Sequence, residues 1–211
     1  MQRTLICVSH CDGAGGDEVA RLVAHQLGLR YVDEEIISRA AEKCGAAPQL
    51  VADAEQRQPL LRRVLDELGA SGAAAMVATG GFPPPVPAGR PPPRGDELRR
   101  FIADAIEAVA AQGHVVIGAH GASFALGVRD DLLRVFVTAP ASVRARRVAR
   151  QRGIDATEAE HHIRAADKTR AVYLRRFYDI DRESPTQYDL VVNTDVLSPD
   201  EAASIVAHAA Q

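Results

Sequence analysis

No apolar stretch of this chain approaches the roughly 20 residues that a helix needs to cross a bilayer. The first residues also lack the charged-then-apolar pattern of a secretory signal. Both absences point to a cytoplasmic protein. Only three cysteines are present, too few for a disulfide framework. Cys7 falls in an apolar run, Cys11 in a glycine loop and Cys44 near the end of a helical pattern, and buried or incidental thiols account for all three. A strong excess of either charge is missing too. With 25 basic against 28 acidic residues, the net charge of -3 argues against a general binder of polymeric nucleic acid, while a local basic cluster still suits a small phosphate ligand. What remains is ordinary globular composition over 211 residues, enough for one domain with a sizeable core.

The stretch Leu5 to Ala24, LICVSHCDGAGGDEVARLVA, organises the rest. Leu5 to Val8 suits a buried parallel strand, and Val19, Leu22 and Val23 recur at helical spacing. Between them Gly13, Gly15 and Gly16 permit turn conformations that other residues resist. A helix opening directly from such a loop presents unpaired amides and the positive end of its dipole, a junction that attracts phosphate. One residue is missing from it. A P-loop reads G-x-x-x-x-G-K-[ST], with lysine on the outer phosphates and the hydroxyl on magnesium. Here Gly16 stands at the lysine position, Asp17 at the hydroxyl position and His10 at the first glycine. On pattern alone the loop is either a degenerate phosphate cradle or a plain tight turn.

Strand and helix patterns alternate along the chain. Gly28 closes the first helix, Arg30 to Val32 forms a short strand, and Asp33 caps a helix to about Lys43. A helical pattern follows from Gln49 to Leu68. Between Gly69 and Gly95, seven of the chain's twelve prolines crowd into Pro83 to Pro93, so this segment is expected to be a mobile loop or polyproline tether. From Asp96 a helix buries Phe101, Ile102, Ile106 and Val109 and ends at Gly113. Strands are expected at His114–Ile117, Leu132–Thr138 and Tyr188–Val192. Helices start at Pro140, at a Thr157/Glu160 capping box and at Ser198-Pro199-Asp200-Glu201. Five buried strands alternating with helices imply a parallel sheet covered on both faces, and ligands bind at the carboxyl ends of such strands.

Two basic clusters lie late in the chain: Arg144, Arg146, Arg147, Arg150 and Arg152, then Arg164, Lys168, Arg170, Arg175 and Arg176. They read either as a solvated face, offset by Glu158, Glu160 and Asp167, or as polyphosphate ligands. Guanidinium forks match phosphate oxygens. Arg144 with Arg147, and Asp167 with Arg170, are one turn apart and positioned to act as pairs.

RVFVTAPASVRARRVARQRG, DKTR at Asp167 to Arg170 and YDLVVNTDVLSPDEA resemble the late portion of cytidylate kinases, and more closely their cytidylate kinase-like relatives. In that subfamily the loop resembles S-R-x-x-G-S-G-G-R-E, without a Walker lysine, and Gly13-Ala14-Gly15-Gly16-x-Glu18 is similar to it. YVDEEIISRAA resembles the segment after the second strand. The likeness spans about residues 4 to 45 and 114 to 207 and fails over the proline-rich middle.

The resemblance implies a three-layer P-loop kinase-like α/β fold with a helical lid, formed as a single domain over residues 1–211 with an insertion at about 69–95. It implies phosphoryl transfer from ATP with Mg2+ to CMP or dCMP, with no polymeric nucleic acid or membrane as partner. Asp12, Gly13, Ala14, Gly15, Gly16, Asp17, Glu18 and Arg147 would bind ATP phosphates, with Asp17 also a metal ligand. Arg144, Lys168 and Arg170 would be the catalytic lid, and Asp33, Arg39 and His120 would face the acceptor. His10 and His120 stand where relatives carry arginine, and Asp17 replaces a basic residue, so a catalytically weak or inactive nucleotide-binding protein is the alternative. A remote alternative is a cysteine phosphatase, because His10-Cys11 opens an H-C-x-x-x-x-x-R-like stretch whose arginine position holds Asp17.

Overall fold

The computed structural model describes residues 3–44, 95–118 and 121–211. The helical pattern at 49–68, the expected insertion apart from Gly95, and His120 lie outside the described residues.

Five strands pair in parallel in the order β2-β3-β1-β4-β5. They are β1 (Leu5–His10), β2 (Arg30–Val32), β3 (Val115–Gly118), β4 (Leu132–Thr138) and β5 (Leu190–Asn193). The helices are α1 (Gly16–Leu27), α2 (Glu34–Cys44), α3 (Gly95–Ala110), α4 (Ala122–Ala125), α5 (Ala141–Arg152), α6 (Ala156–Tyr178) and α7 (Pro199–Ala210). β1 is central because it is apolar on both sides. Its odd positions Leu5 and Cys7 join Val115, Ile117 and Leu132 against Ile36 of α2 and Ile102, Ile106 and Val109 of α3. Its even positions Ile6 and Val8 join Val116, Leu133, Val135 and Val137 against Val19 and Val23 of α1 and Ala202, Ala203 and Val206 of α7. The period of two along each strand thus makes two core layers on one sheet. All strands run the same way, so the β1–α1 loop and the ends of β3, β4 and β5 share one edge of the sheet.

Several boundaries differ from the sequence patterns. Asp155 caps α6, its Oδ1 accepting the Glu158 amide at 2.8 Å, and the Thr157/Glu160 box is not the cap. Only Ile154 separates this cap from the Gly153 end of α5, so the helix starts two residues earlier than Thr157 would allow. The Ser198/Glu201 box caps α7 as expected. β5 begins at Leu190, and its burial is partial because it is an edge strand, as is β2. Tyr188, just before β5, stacks on Phe136 of β4 with centroids 4.9 Å apart. No helix among the described residues is long and apolar enough to cross a membrane.

The β4–β5 edge is pinned by charge. Arg134 sends Nη2 to Asp189 Oδ1 at 2.7 Å, and its own amide donates to Asp189 Oδ2 at 2.8 Å. The bond from Arg134 holds the Asp189 carboxyl below its ordinary value, against the opposing effect of burial. A depressed carboxyl stabilises the fold fully above its unfolded pKa, near 3.9, and that contribution is lost as pH falls through the folded value. Asp189→Asn should therefore lower the urea midpoint by more at pH 7 than at pH 3. An equal gap at both pH values would show that the ionised pair is not the source.

Candidate functional site

The loop after β1 is shaped by its own turn and by three side chains outside it. The Cys11 amide extends the sheet by donating to Val137 O at 3.1 Å, and the Ala14 amide closes a turn onto Cys11 O at 3.0 Å. Gly13 and Gly15 have φ of 75° and 79°, which only glycine adopts without strain. Gly13 is also confined in space, since a Cβ there would lie 2.9 Å from Arg144 O. Gly15 is the N-cap of α1 and no side chain caps that helix, which leaves its opening to a ligand.

The loop carbonyls are drawn outward. Arg144 Nη1 donates to Asp12 O at 3.2 Å, while Thr194 Oγ1 at 2.8 Å and Arg147 Nη1 at 3.5 Å both donate to Ala14 O. In a planar trans peptide the carbonyl and the next amide point to opposite sides. Holding the carbonyls of Asp12 and Ala14 from outside therefore turns the amides of Gly13 and Gly15 inward, beside the opening of α1.

Arg144 is buried, 5% exposed, and its Nε donates to Ala139 O at 3.0 Å. Its two terminal nitrogens bind both oxygens of Asp167 on α6, at 2.9 and 2.8 Å. Arg170 sends Nε and Nη2 to Glu183 at 2.8 and 2.6 Å and lies over the Phe136 ring. The Tyr188 hydroxyl donates to the same Glu183. Asp167 and Arg170 lie one turn apart on α6, and each takes a bidentate partner from elsewhere in the fold, Arg144 and Glu183. Arg144 and Arg147 do converge on the loop, touching its carbonyls. Lys168 is exposed, as is Arg176, whose guanidinium lies over Phe177.

Further contacts bind α6 and β1 to the loop. His162 Nε2 donates to Asp12 Oδ2 at 2.6 Å, and Arg152 Nη1 donates to His162 Nδ1 at 3.4 Å. His10 Nε2 meets Asp17 Oδ1 at 3.0 Å. Beneath the loop, Ser9 and Ser123 hydroxyls lie 3.3 Å apart, both buried. Asp33 ends β2 at the same sheet edge and accepts the Tyr31 hydroxyl at 3.1 Å. Arg39 is engaged one turn back by Glu35 at 2.6 Å, which Arg30 also binds at 2.8 Å. Thr194, His162 and Glu183 were not singled out by sequence reasoning. Thr194 is a polar residue directly after a strand, which is a faint signal; nothing in local spacing announces the other two.

Among the described residues no group of three or more His, Cys, Asp or Glu is arranged to hold a metal. Asp12 and Asp17 nevertheless flank the loop, and magnesium held through phosphates takes only one or two carboxylates. They fit that limited role. Cys11 does not fit a nucleophile's: burial pushes its thiol up, outweighing the Thr138 hydroxyl at 3.8 Å and the nearby arginines.

The sequence model of the cytidylate kinase-like family matches residues 5–196. The chain belongs to this family. Similar proteins include the cytidylate kinase of Ignicoccus hospitalis, 26% identical over 204 residues that make up 96% of each chain. That of Methanopyrus kandleri is 34% identical over 105 residues, 46% of this chain and 54% of the relative. A solved structure of an uncharacterized protein from Eubacterium ventriosum shares the fold with a TM-score of 0.63 and 15% identity, covering 98% of this chain and 97% of its own. As a cytidylate kinase-like protein the chain carries the family's fold, a parallel sheet with a glycine loop at its edge, together with a helical pair, α5 and α6, closing over that loop.

Within this cytidylate kinase-like site, removing one member of a largely buried ion pair strands the other. Arg170→Ala leaves Glu183, 17% exposed, without its partner, and should cost about 3 kcal/mol or more in urea unfolding. Arg176→Ala should change stability by under about 1 kcal/mol. Equal effects would mean that Arg170 is no more structural than its exposed neighbour.

Proposed function

We propose that this cytidylate kinase-like chain binds ATP at the Gly13–Glu18 loop and transfers its terminal phosphoryl group to CMP or dCMP. The hold that Arg144, Arg147 and Thr194 have on the Asp12 and Ala14 carbonyls, which turns the Gly13 and Gly15 amides toward the opening of α1, is the observation that carries this reading. Phosphoryl transfer asks the protein for positioning and charge neutralisation and not for a covalent intermediate. The amides and the α1 dipole supply directed donors. Bound magnesium would offset the phosphate charge, with Asp12 and Asp17 at hand to hold it through water.

The other roles follow from placement. Arg144 and Arg147 act by fixing the loop. Lys168 and Arg170 lie on α6, which packs against α5 through Ala145, Val148, Ala159 and Ile163 and reaches the loop through His162. That helical pair is the lid, and its closure excludes water from the donor phosphate. Asp33, Arg39 and His120 are assigned to the acceptor from the family resemblance; Asp33 has the geometric support of lying at the loop edge of the sheet. The domain is read as one unit over 1–211, working in the cytoplasm with ATP as its donor.

A second reading has its own support. Two histidines and two arginines around the site each already hold a carboxylate of the chain itself, in the pairs His10–Asp17, His162–Asp12, Arg144–Asp167 and Arg170–Glu183. A site whose donors are occupied from within suits a nucleotide-binding protein of low turnover. A coupled kinase assay across nucleoside monophosphates with ATP and magnesium separates the readings. CMP or dCMP should give the highest kcat/KM. Preference for AMP or for a non-nucleotide acceptor would overturn the acceptor assignment, and ATP binding with no turnover on any acceptor would favour the second reading.

A further inference from the structure

The P-loop pattern pairs a glycine at its first position with a lysine six residues later. This chain has the opposite, a large side chain able to donate from its ring nitrogen at position 10 and glycine at position 16. The structure shows that the two positions compete for one volume. A Cβ on Gly16 would lie 2.2 Å from His10 Cβ, 2.3 Å from Cγ and 2.7 Å from Cδ2, closer than non-bonded carbon atoms approach. Gly16 is not among the residues with positive φ, so its backbone does not call for glycine. A glycine in a helix costs up to about 1 kcal/mol relative to alanine. It is required here by the imidazole packed against it.

The ring is also held in a defined pose. Alternation along β1 puts His10 on the same side as Ile6 and Val8, over the first turn of α1. Nε2 meets Asp17 Oδ1 at 3.0 Å and Nδ1 meets Cys11 O at 3.4 Å. Both neighbours are acceptors, so the ring is held from two sides. Its side chain is 17% exposed and that of Asp17 is 48% exposed, so the carboxylate is the partner with room to turn away. An anionic oxygen arriving at the opening of α1 meets a ring already oriented by an oxygen of like charge.

We infer that His10 replaces the missing lysine: side chain and glycine have exchanged places across the loop, and the imidazole of His10 binds the outer phosphates of the nucleoside triphosphate. Asp17 orients the ring and yields it when phosphate arrives. This rests on the nucleotide-binding reading above.

The exchange is tested by reversing it. ATP and inorganic tripolyphosphate are titrated by calorimetry into the parent protein, His10→Ala, His10→Arg, His10→Gly, Gly16→Lys and the double variant His10→Gly/Gly16→Lys, with thermal unfolding confirming that each is folded. His10→Ala and His10→Gly should weaken both ligands about tenfold or more, the loss expected for a charge-assisted contact. His10→Arg should stay within about threefold of the parent. Gly16→Lys alone should lose stability or affinity, because its Cβ has no space while His10 is present, and the double variant should recover most of the affinity lost in His10→Gly. Parental affinity in His10→Ala, or a double variant no better than His10→Gly, would overturn the exchange while leaving nucleotide binding intact. Failure of the parent protein to bind either ligand would overturn the nucleotide-binding reading and this inference with it.

Discussion

The Arg144 guanidinium joins three parts of the chain that sequence keeps far apart. Its Nε holds the Ala139 carbonyl where β4 passes into α5, one terminal nitrogen holds the Asp12 carbonyl in the loop, and the fork as a whole grips Asp167 on α6. Its own backbone carbonyl lies where a Cβ on Gly13 would fall. Loop shape, lid position and the choice of glycine therefore depend on one buried cation. Such a charge is tolerated in the interior only when it is paired and fully hydrogen-bonded, and this one has acceptors on each of its nitrogens.

The same economy of contacts governs the neighbouring elements. Thr194, buried at the end of the edge strand β5, donates its hydroxyl to Ala14 O and receives Arg147. The second half of the loop is thereby tied to the sheet as the first half is tied to the lid helix. The loop is thus held from both flanks by donors to its carbonyls, and rigid placement of amides is what makes backbone dipoles effective toward a developing negative charge. On the other side of the sheet, Glu183 gathers Arg170 and the Tyr188 hydroxyl beside the Phe136 ring. That cluster ties the C-terminal half of α6 to the sheet, while His162 in its N-terminal half meets Asp12 of the loop.

Most of the architecture was legible in the sequence because it rests on local patterns. The apolar run of β1, the period of the α1 and α3 faces, Gly28 and Gly153 at helix ends and the Ser198 box each act within a few residues. The loop itself was legible as glycine spacing, though not its donor geometry. That depends on Arg144, Arg147 and Thr194, more than a hundred residues away in sequence. Partner choice across the fold was not legible. Asp167 and Arg170 sit one turn apart, yet their bidentate partners, Arg144 and Glu183, come from other parts of the chain, which no local spacing marks. The exchange of His10 and Gly16 was visible only as two departures from a motif. Their contact is made by the fold, through the strand-to-helix turn, and not by any local spacing rule.

In the proposed function the amides of the β1–α1 loop receive the phosphates of ATP. Backbone amide chemical shifts of uniformly 15N-labelled protein, followed during titration with ATP and magnesium, test this most directly. The largest shifts are expected at Gly13 to Glu18, saturating together, with small changes along α7. Saturable shifts elsewhere, with the Gly13 and Gly15 amides unmoved, would contradict it.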